Sequence, residues 1–475
     1  MNWLIAAPEI SYFASALWFL VLSLAAKPDA RREHRTSLLL GGLGVAICTV
    51  SIGQEGYLFT RAFRVDLFSQ VFKELLSLSL FLVLTLCGKM RDLRERHRHD
   101  FYVLLFVCTL AMMLLVSADH LLALFLSLEL SSYSLYILVA VRRDQRFGTE
   151  AGIKYFLVGT FASAVMLFGL ALLYASAPAT YLSDMARAPS GMAERPLAFL
   201  GLLMTLGGLF FKLAVFPFHF WAPDTYQGAM NQVAAYIATA SKVAAVAVMV
   251  RVVALAGQGS AHLVQILAVL SIMSMTVGNL AAIAQKDLKR LLAFSTTAHA
   301  GYVLIGILAV NESGYAGAVF YAMALLLMKF SAFLVVTVVA GDGKNLEVED
   351  LAGLHRRSPI LALTLMVSLF GLAGIPPTIG FTAKFLVFVA AMERGHFALV
   401  LIAMINVVVS LYYYLLVVKA AYLTEPREET GPRAVSLSTR ILAGALASGM
   451  VVAGFFPTYL MELADSAVQV LLSGP

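Results

Sequence analysis

Three stretches decide how this chain reads: LGGLFFKLAVFPFHF (206–220), YIATASKVAAVAVMV (236–250) and PPTIGFTAKFLVFVA (376–390). Each is a long apolar run, and each carries one lysine: Lys212, Lys242 and Lys384. An ionisable group at membrane depth costs at least ~3 kcal/mol, is rare there, and by default marks an ion or proton pathway. Pro217 and Pro223 follow Lys212, and Pro376 and Pro377 precede Lys384. Proline removes a backbone donor and breaks a helix. The carbonyls it frees must then be satisfied by side chains or water. A buried charge beside a broken membrane helix is the pattern of a machine that moves ions.

Working outward, the whole chain has the same character. Its 475 residues are 60% hydrophobic and 13% charged, whereas soluble domains carry about 25% charged residues. This is an all-α polytopic membrane protein. The net charge of +6 does not point to nucleic acid, because the basic residues gather in loops on one side. The N-terminus reads as a retained first span, without a cleavage site. Cys48, Cys87 and Cys108 fall in three different apolar runs with no CxxC spacing. They read as core residues rather than as a cluster, haem or zinc framework.

A bilayer-spanning helix needs roughly 20 apolar residues. Fourteen runs qualify: 10–26, 37–53, 67–87, 101–116, 121–141, 155–174, 197–215, 233–255, 263–283, 291–310, 316–340, 360–375, 397–422 and 441–456. The short pieces near Trp221 and Phe381 read as second halves of broken helices seven and twelve. The loops after runs 1, 3, 5, 9, 11 and 13 hold 22 of the 34 lysines and arginines, against 6 on the other side. That bias places the basic loops in the cytoplasm and both termini outside.

The chain also repeats itself. Glu129 in run five and His299 in run ten hold comparable places, as do AGIKYF (151–156) with AGAVFY (316–321), and Lys212 with Lys384. The offsets run from 165 to 172 residues. Two five-helix units are expected, runs 4–8 and 9–13, and an odd number of helices per unit inverts the second. Inverted repeats with discontinuous helices are a common transporter plan. The expected divisions are 1–100, 101–257, 258–425 and 426–475.

The remaining ionisable residues then take candidate roles. A buried Glu129 and a buried Lys212 are costly apart and cheaper together. If they pair, each depends on the other's charge state, and the pair reads either as a switch in a proton channel or as a static ion pair. Lys242, among small residues, reads as the next proton acceptor or as a snorkelling side chain. His299 suits a relay because histidine titrates near neutral pH, or else it is a packing residue. Lys329, in LLLMKFSAF, bridges toward Lys384 or pairs structurally. Lys73 and Glu74 read as interface support and Lys419 as snorkelling. The QKDLKR loop (285–290) reads as a solvated turn. His219 reads either as a cytoplasmic proton acceptor or as a turn hydrogen bonder. No phosphate loop, nucleophile triad or metal cluster is evident, so redox chemistry is not expected of this chain.

The stretches FPFHFWAPDTYQGA (216–229), QKDLKRLLAFSTTAHAGYVLIG (285–306) and GLAGIPPTIGFTAKF (371–385) resemble the antiporter-like membrane subunits of respiratory complex I, the NADH-quinone oxidoreductase. With loop and helix order, the resemblance covers nearly the whole chain. The opening MNWLIAAPEI and the lysine of GFTAKF are similar to the subunit N branch. Subunit M typically has a glutamate there, and subunit L is longer.

The resemblance implies a fourteen-helix fold and a part in proton pumping through Glu129, Lys212, Lys242, His299 and Lys384, to which the reading of the residues adds Lys329. It also implies no cofactor in this chain, with NADH, FMN, Fe–S clusters and quinone handled by partner subunits. The implied partners are a neighbouring antiporter-like subunit and small membrane subunits, in a bacterial inner membrane, with no nucleic acid. A multi-subunit Na⁺/H⁺ antiporter of the same fold is the alternative. One departure stands out: Met230, Asn231 and Gln232 follow the YQGA turn where the family usually has a proline pair. Either a more flexible turn or polar replacement of the rigid prolines is expected there.

Overall fold

The computed structural model describes residues 3–25, 29–88, 90, 92–142, 146–177, 179–186, 195–254, 260–341, 343–425 and 435–473. Seven basic residues of the charge count lie outside them: Lys27, Lys89, Arg91, Arg143, Arg187, Arg427 and Arg433. Helices dominate, and each of the fourteen apolar runs coincides with one. The first six are α1 (Ala7–Ala25), α2 (Ala30–Ser51), α3 (Leu67–Leu86), α4 (Arg98–Ser117), α5 (Leu121–Val139) and α6 (Arg146–Ser176). After the short α7 (Leu182–Ala186) comes the first broken helix, α8 (Pro196–Leu213) and α9 (Trp221–Gly228). The eighth run is α10 (Asn231–Tyr236) and α11 (Lys242–Ala254), joined without interruption by a π-helical segment, Ile237–Ser241. Then follow α12 (Ala261–Ile283), α13 (Leu288–Leu308), α14 (Glu312–Ala340) and the short α15 (Leu354–Arg357). The second broken helix is α16 (Pro359–Ala373) with α17 (Ile379–Glu393), followed by α18 (Phe397–Leu423), α19 (Leu437–Phe455) and α20 (Thr458–Ser473). Among the described residues, twelve helices are long and apolar enough to cross a bilayer.

Both breaks are built alike. Ala214 follows α8 with φ 65°, and Gly374 follows α16 with φ 83°. The next amide reaches back to the carbonyl five residues before it, Val215 to Phe210 and Ile375 to Phe370, each at 2.9 Å. This is a Schellman closure, which uses up orphan carbonyls of a helix end. The prolines that follow cannot continue either helix.

The centre of the molecule is α10–α11, α13 and α14, almost wholly buried, while α1, α6, α12, α18 and α19 form the rim. The rim turns large apolar side chains outward, among them Phe161, Phe168 and Val408. Hydrophobicity cannot drive helices together in lipid, so close approach has to come from small residues. A Cβ on Gly169 of α6 would stand 2.5 Å from the Thr205 amide of α8, and one on Gly301 of α13 would stand 2.7 Å from the Ser271 carbonyl of α12.

Besides the short helices and the π segment, a hairpin and a terminal helix were not read from the sequence. A small antiparallel hairpin pairs β1 (Gly56–Leu58) with β2 (Phe63–Val65). The segment after the last apolar run is not a plain tail: α20 packs on α14 and α3, with Ala464, Ala467 and Val468 buried. An Arg64 guanidinium donates to the Val470 carbonyl at 3.0 Å and bonds Asp66 at 3.1 Å. Arg251 of α11 reaches the same carboxylate at 3.3 Å. One face of the molecule is therefore tied by a buried Arg–Asp–Arg cluster that joins the hairpin, α3, α11 and α20.

Candidate functional site

The site is a file of buried side chains through the central helices. Lys212 ends α8, where its ammonium donates to Ser131 at 2.7 Å and to Ser132 at 3.4 Å, both on α5. Glu129 lies on the same helix and accepts instead from Ser163 of α6. The expected direct Glu129–Lys212 pair is not formed. Ser131, two residues on from Glu129, lies on nearly the opposite side of the helix, so α5 turns its serines to α8 and the half-buried Glu129 to α6.

Lys242 starts α11 directly after the π segment. Its ammonium donates to the Lys212 carbonyl at 2.7 Å and lies 4.6 Å from the centre of the Trp221 ring. Trp221 is held by its indole N–H on the Phe211 carbonyl at 2.9 Å and by stacking on Tyr155 at 4.4 Å. Snorkelling is thus replaced by a fixed position: the amine caps the carbonyl end of the first half-helix, the negative end of its dipole.

Lys384 repeats this on the second break. Its ammonium donates to the Leu372 and Ala373 carbonyls, both at 2.9 Å, and lies 4.7 Å from the Tyr302 ring centre. Gly374 makes the approach possible, since a Cβ there would lie 2.8 Å from Lys384 Cδ.

Two residues lie between these ends. Lys329 of α14 donates to the Leu292 carbonyl at 2.9 Å and the Ser295 hydroxyl at 2.5 Å on α13. His299, one helical turn after Ser295, bonds the hydroxyls of Tyr321 at 2.8 Å and Tyr414 at 3.3 Å. All four lysines are at most 4% exposed. Among the described residues, every ion pair lies elsewhere, so no carboxylate sits within 4 Å of Lys212, Lys242, Lys329 or Lys384. Their partners are hydroxyls, carbonyls and aromatic faces, all neutral. Buried hydroxyls without a protein partner line the same region, among them Ser241, Thr225, Tyr226, Thr297 and Tyr302. Such groups are usually satisfied by water.

Sequence reasoning missed several groups. Trp221 and Tyr302 stand under the amines, and Tyr321 and Tyr414 hold the imidazole. A tyrosine or tryptophan in an apolar run is ordinary, so no one-dimensional signal marks them. Lys73, near the start of α3, is 1% exposed and pairs with Glu9 of α1 at 2.6 Å. QKDLKR is not simply a solvated turn. Asp287 caps α13 by accepting the Arg290 amide at 2.9 Å, and Lys289 is fully buried. His219 is buried against the rings of Phe216 and Phe220, with Nδ1 unpartnered. The unusual turn is packed: Met230, Asn231 and Gln232 are all buried, and Gln232 donates to the Leu86 carbonyl at 3.3 Å. Polar bonding has replaced proline there. Cys48, Cys87 and Cys108 are free and buried, as read.

Broken helices whose carbonyl ends are each capped by a buried lysine, joined by a file of neutral-partnered bases, define a membrane protein of the antiporter-like class. Residues 118–410 match the family described as NADH:quinone oxidoreductase/Mrp antiporter, TM, and the chain belongs to that family. It is 67% identical to NADH-quinone oxidoreductase subunit N 2 of Syntrophobacter fumaroxidans, over 99% of this chain and all of that protein. A chain of respiratory complex I from Thermus thermophilus superimposes with a TM-score of 0.85 at 34% identity, covering 96% of this chain and 99% of that one. A chain of the Mrp complex from Dietzia sp. superimposes with a TM-score of 0.88 over 99% of this chain and all of that one, at 20% identity; that likeness concerns the fold alone.

Proposed function

We propose that this chain is the proton-translocating membrane subunit N of a bacterial NADH-quinone oxidoreductase, working beside other membrane subunits of the complex. NADH oxidation and quinone reduction are the work of partners, and this chain carries protons. The membrane is the bacterial inner membrane, with both termini on the periplasmic side, as the loop charges favour.

The observation that carries the reading is the neutrality of the partners. An ion-paired lysine is held charged, whereas one held by carbonyls and hydroxyls is free to exchange its proton. A static scaffold would have paired its buried charges. In the proposed sequence, a change in charge near Glu129 acts on Lys212 through Ser131 and Ser132. A proton then shifts from Lys212 to Lys242, Lys329, His299 and Lys384 in turn. Water bonded to the unpartnered hydroxyls completes the steps the side chains do not span. Helices 4–8 and 9–13 act as two units, which the matching caps of Lys242 and Lys384 favour. A Na⁺/H⁺ antiporter subunit shares the fold, but the sequence relatives favour complex I.

The test is proton pumping per NADH oxidised in inverted vesicles carrying Lys212→Ala, with assembly checked on native gels. Loss of pumping and oxidation together in the assembled complex is the expected result. Normal values for both would overturn the proton path.

A further inference from the structure

Lys289 is a further buried lysine, as Lys73 is, and the path above uses neither. It is 0% exposed, in the first turn of α13. Its ammonium, with three N–H donors, donates to the Ala229 carbonyl at 2.8 Å, where α9 ends. The charges acting on it are Arg142 and Asp287. Arg142 is itself bound to Asp92 and to the Gly343 carbonyl.

On its outer side lies a partly exposed network. Asp287 accepts from Gln227 at 3.3 Å, Arg290 donates to Asp224 at 2.7 Å and to Gln227 at 3.2 Å, and Lys154 donates to Asp224 at 2.7 Å. Lys154 is 46% exposed, so this network reaches solvent. On its inner side, the Lys329 ammonium rests on the Leu292 carbonyl, three residues further along α13. At ~1.5 Å rise per residue, that is less than one turn away. Thr225, Tyr226, Asn231 and Thr297 flank this stretch with buried polar atoms that have no protein partner. Two of them come from α9, which packs on α13.

We propose that Lys289 is an inlet that joins the proton path at Lys329, after Lys212 and Lys242, taking protons from the Asp224–Gln227–Arg290 surface network. This rests on the function proposed above. In the transfer, an N–H bond of the Lys289 ammonium breaks and an N–H bond forms on the neutral Lys329 amine, through water held by the flanking hydroxyls. Lys289 then regains a proton from the surface side, with no change in oxidation state.

The competing role is a staple that merely closes α9 through Ala229. Arginine separates the two, because a guanidinium keeps the charge and the carbonyl bond but does not release a proton. In assembled complex, Lys289→Arg is expected to lower proton pumping in inverted vesicles by about tenfold or more. Lys289→His, which can titrate, is expected to retain more pumping than Lys289→Arg. Normal pumping by Lys289→Arg would overturn the inlet. If the arginine variant does not assemble, Lys289→His is compared with Lys289→Gln: higher pumping by histidine supports the inlet, and equal pumping overturns it. Lys329→Ala is run alongside. Normal pumping there would sink the proton path itself, whereas loss there with normal Lys289→Arg sinks only the inlet.

Discussion

Trp221 shows how one residue fixes Lys242, a carrier in the proposed path. Its ring faces the Lys242 ammonium while its indole N–H and its stack on Tyr155 keep it from turning away. A desolvated cation–π contact is worth about 2 kcal/mol. Trp221→Leu is therefore expected to lower pumping per NADH several-fold in assembled complex, and Trp221→Phe to lower it less, as vesicle acidification would measure. Asp66 shows the opposite device, a charge that must not move. Burial raises a carboxyl's affinity for protons, but Arg251, Arg64 and the Ser69 amide outweigh it and hold Asp66 below the usual carboxylate range. Because the folded value is lowered, the stabilisation is complete above about pH 4, the unfolded value. It is lost as pH falls through the folded value. Asp66→Asn strands two guanidinium groups, so a loss of about 3–5 kcal/mol is expected, read as a lower Tm in detergent at neutral pH.

At the scale of elements, the two helix breaks close alike but differ in the helix that supplies the capping lysine, α11 for the first and α17 for the second, and in their left-handed residue. The left-handed residue is Ala214 in one and Gly374 in the other. A non-glycine residue in that conformation carries about 1 kcal/mol of strain. Ala214→Gly is expected to be neutral or slightly stabilising. Gly374→Ala is expected to impair pumping, because the new methyl group meets both the strained backbone and the Lys384 side chain. Tm and pumping measured on the two variants check this; a harmless Gly374→Ala would mean that the approach of Lys384 is not tight. The breaks were legible in the sequence because proline and an isolated charge act locally. The π segment before Lys242 was not legible: IATAS contains no residue that forces a wider turn. Nor was α20, since its apolar side chains are too widely spaced for a span and only α14 and α3 make a helix there worth burying.

Across the whole molecule, the fourteen apolar runs and most of the file of bases could be read in advance. Long runs and buried charges are one-dimensional facts. The partners could not be read: Ser131 is 81 residues from Lys212, and Tyr414 is 115 from His299. Lys289 was misread for the same reason, since nothing near it in sequence tells a helix end in solvent from one under another helix. If the file is one path, damage at two points of it does not add. Lys212→Ala with Lys384→Ala is therefore expected to pump no worse than the poorer single variant. Multiplied losses would mean two separate channels.

The absence of acids beside the four central lysines has a consequence for traffic. Two unit charges about 10 Å apart repel by ~1.7 kcal/mol at an effective dielectric near 20. A row of bases without counter-ions therefore resists double occupancy. In the proposed path each arriving proton would make its neighbour's departure easier, so the row would behave as a queue in which a push at one end is felt at the other. Directionality then needs no ratchet in the middle of the membrane, only control over who may join the line and who may leave it.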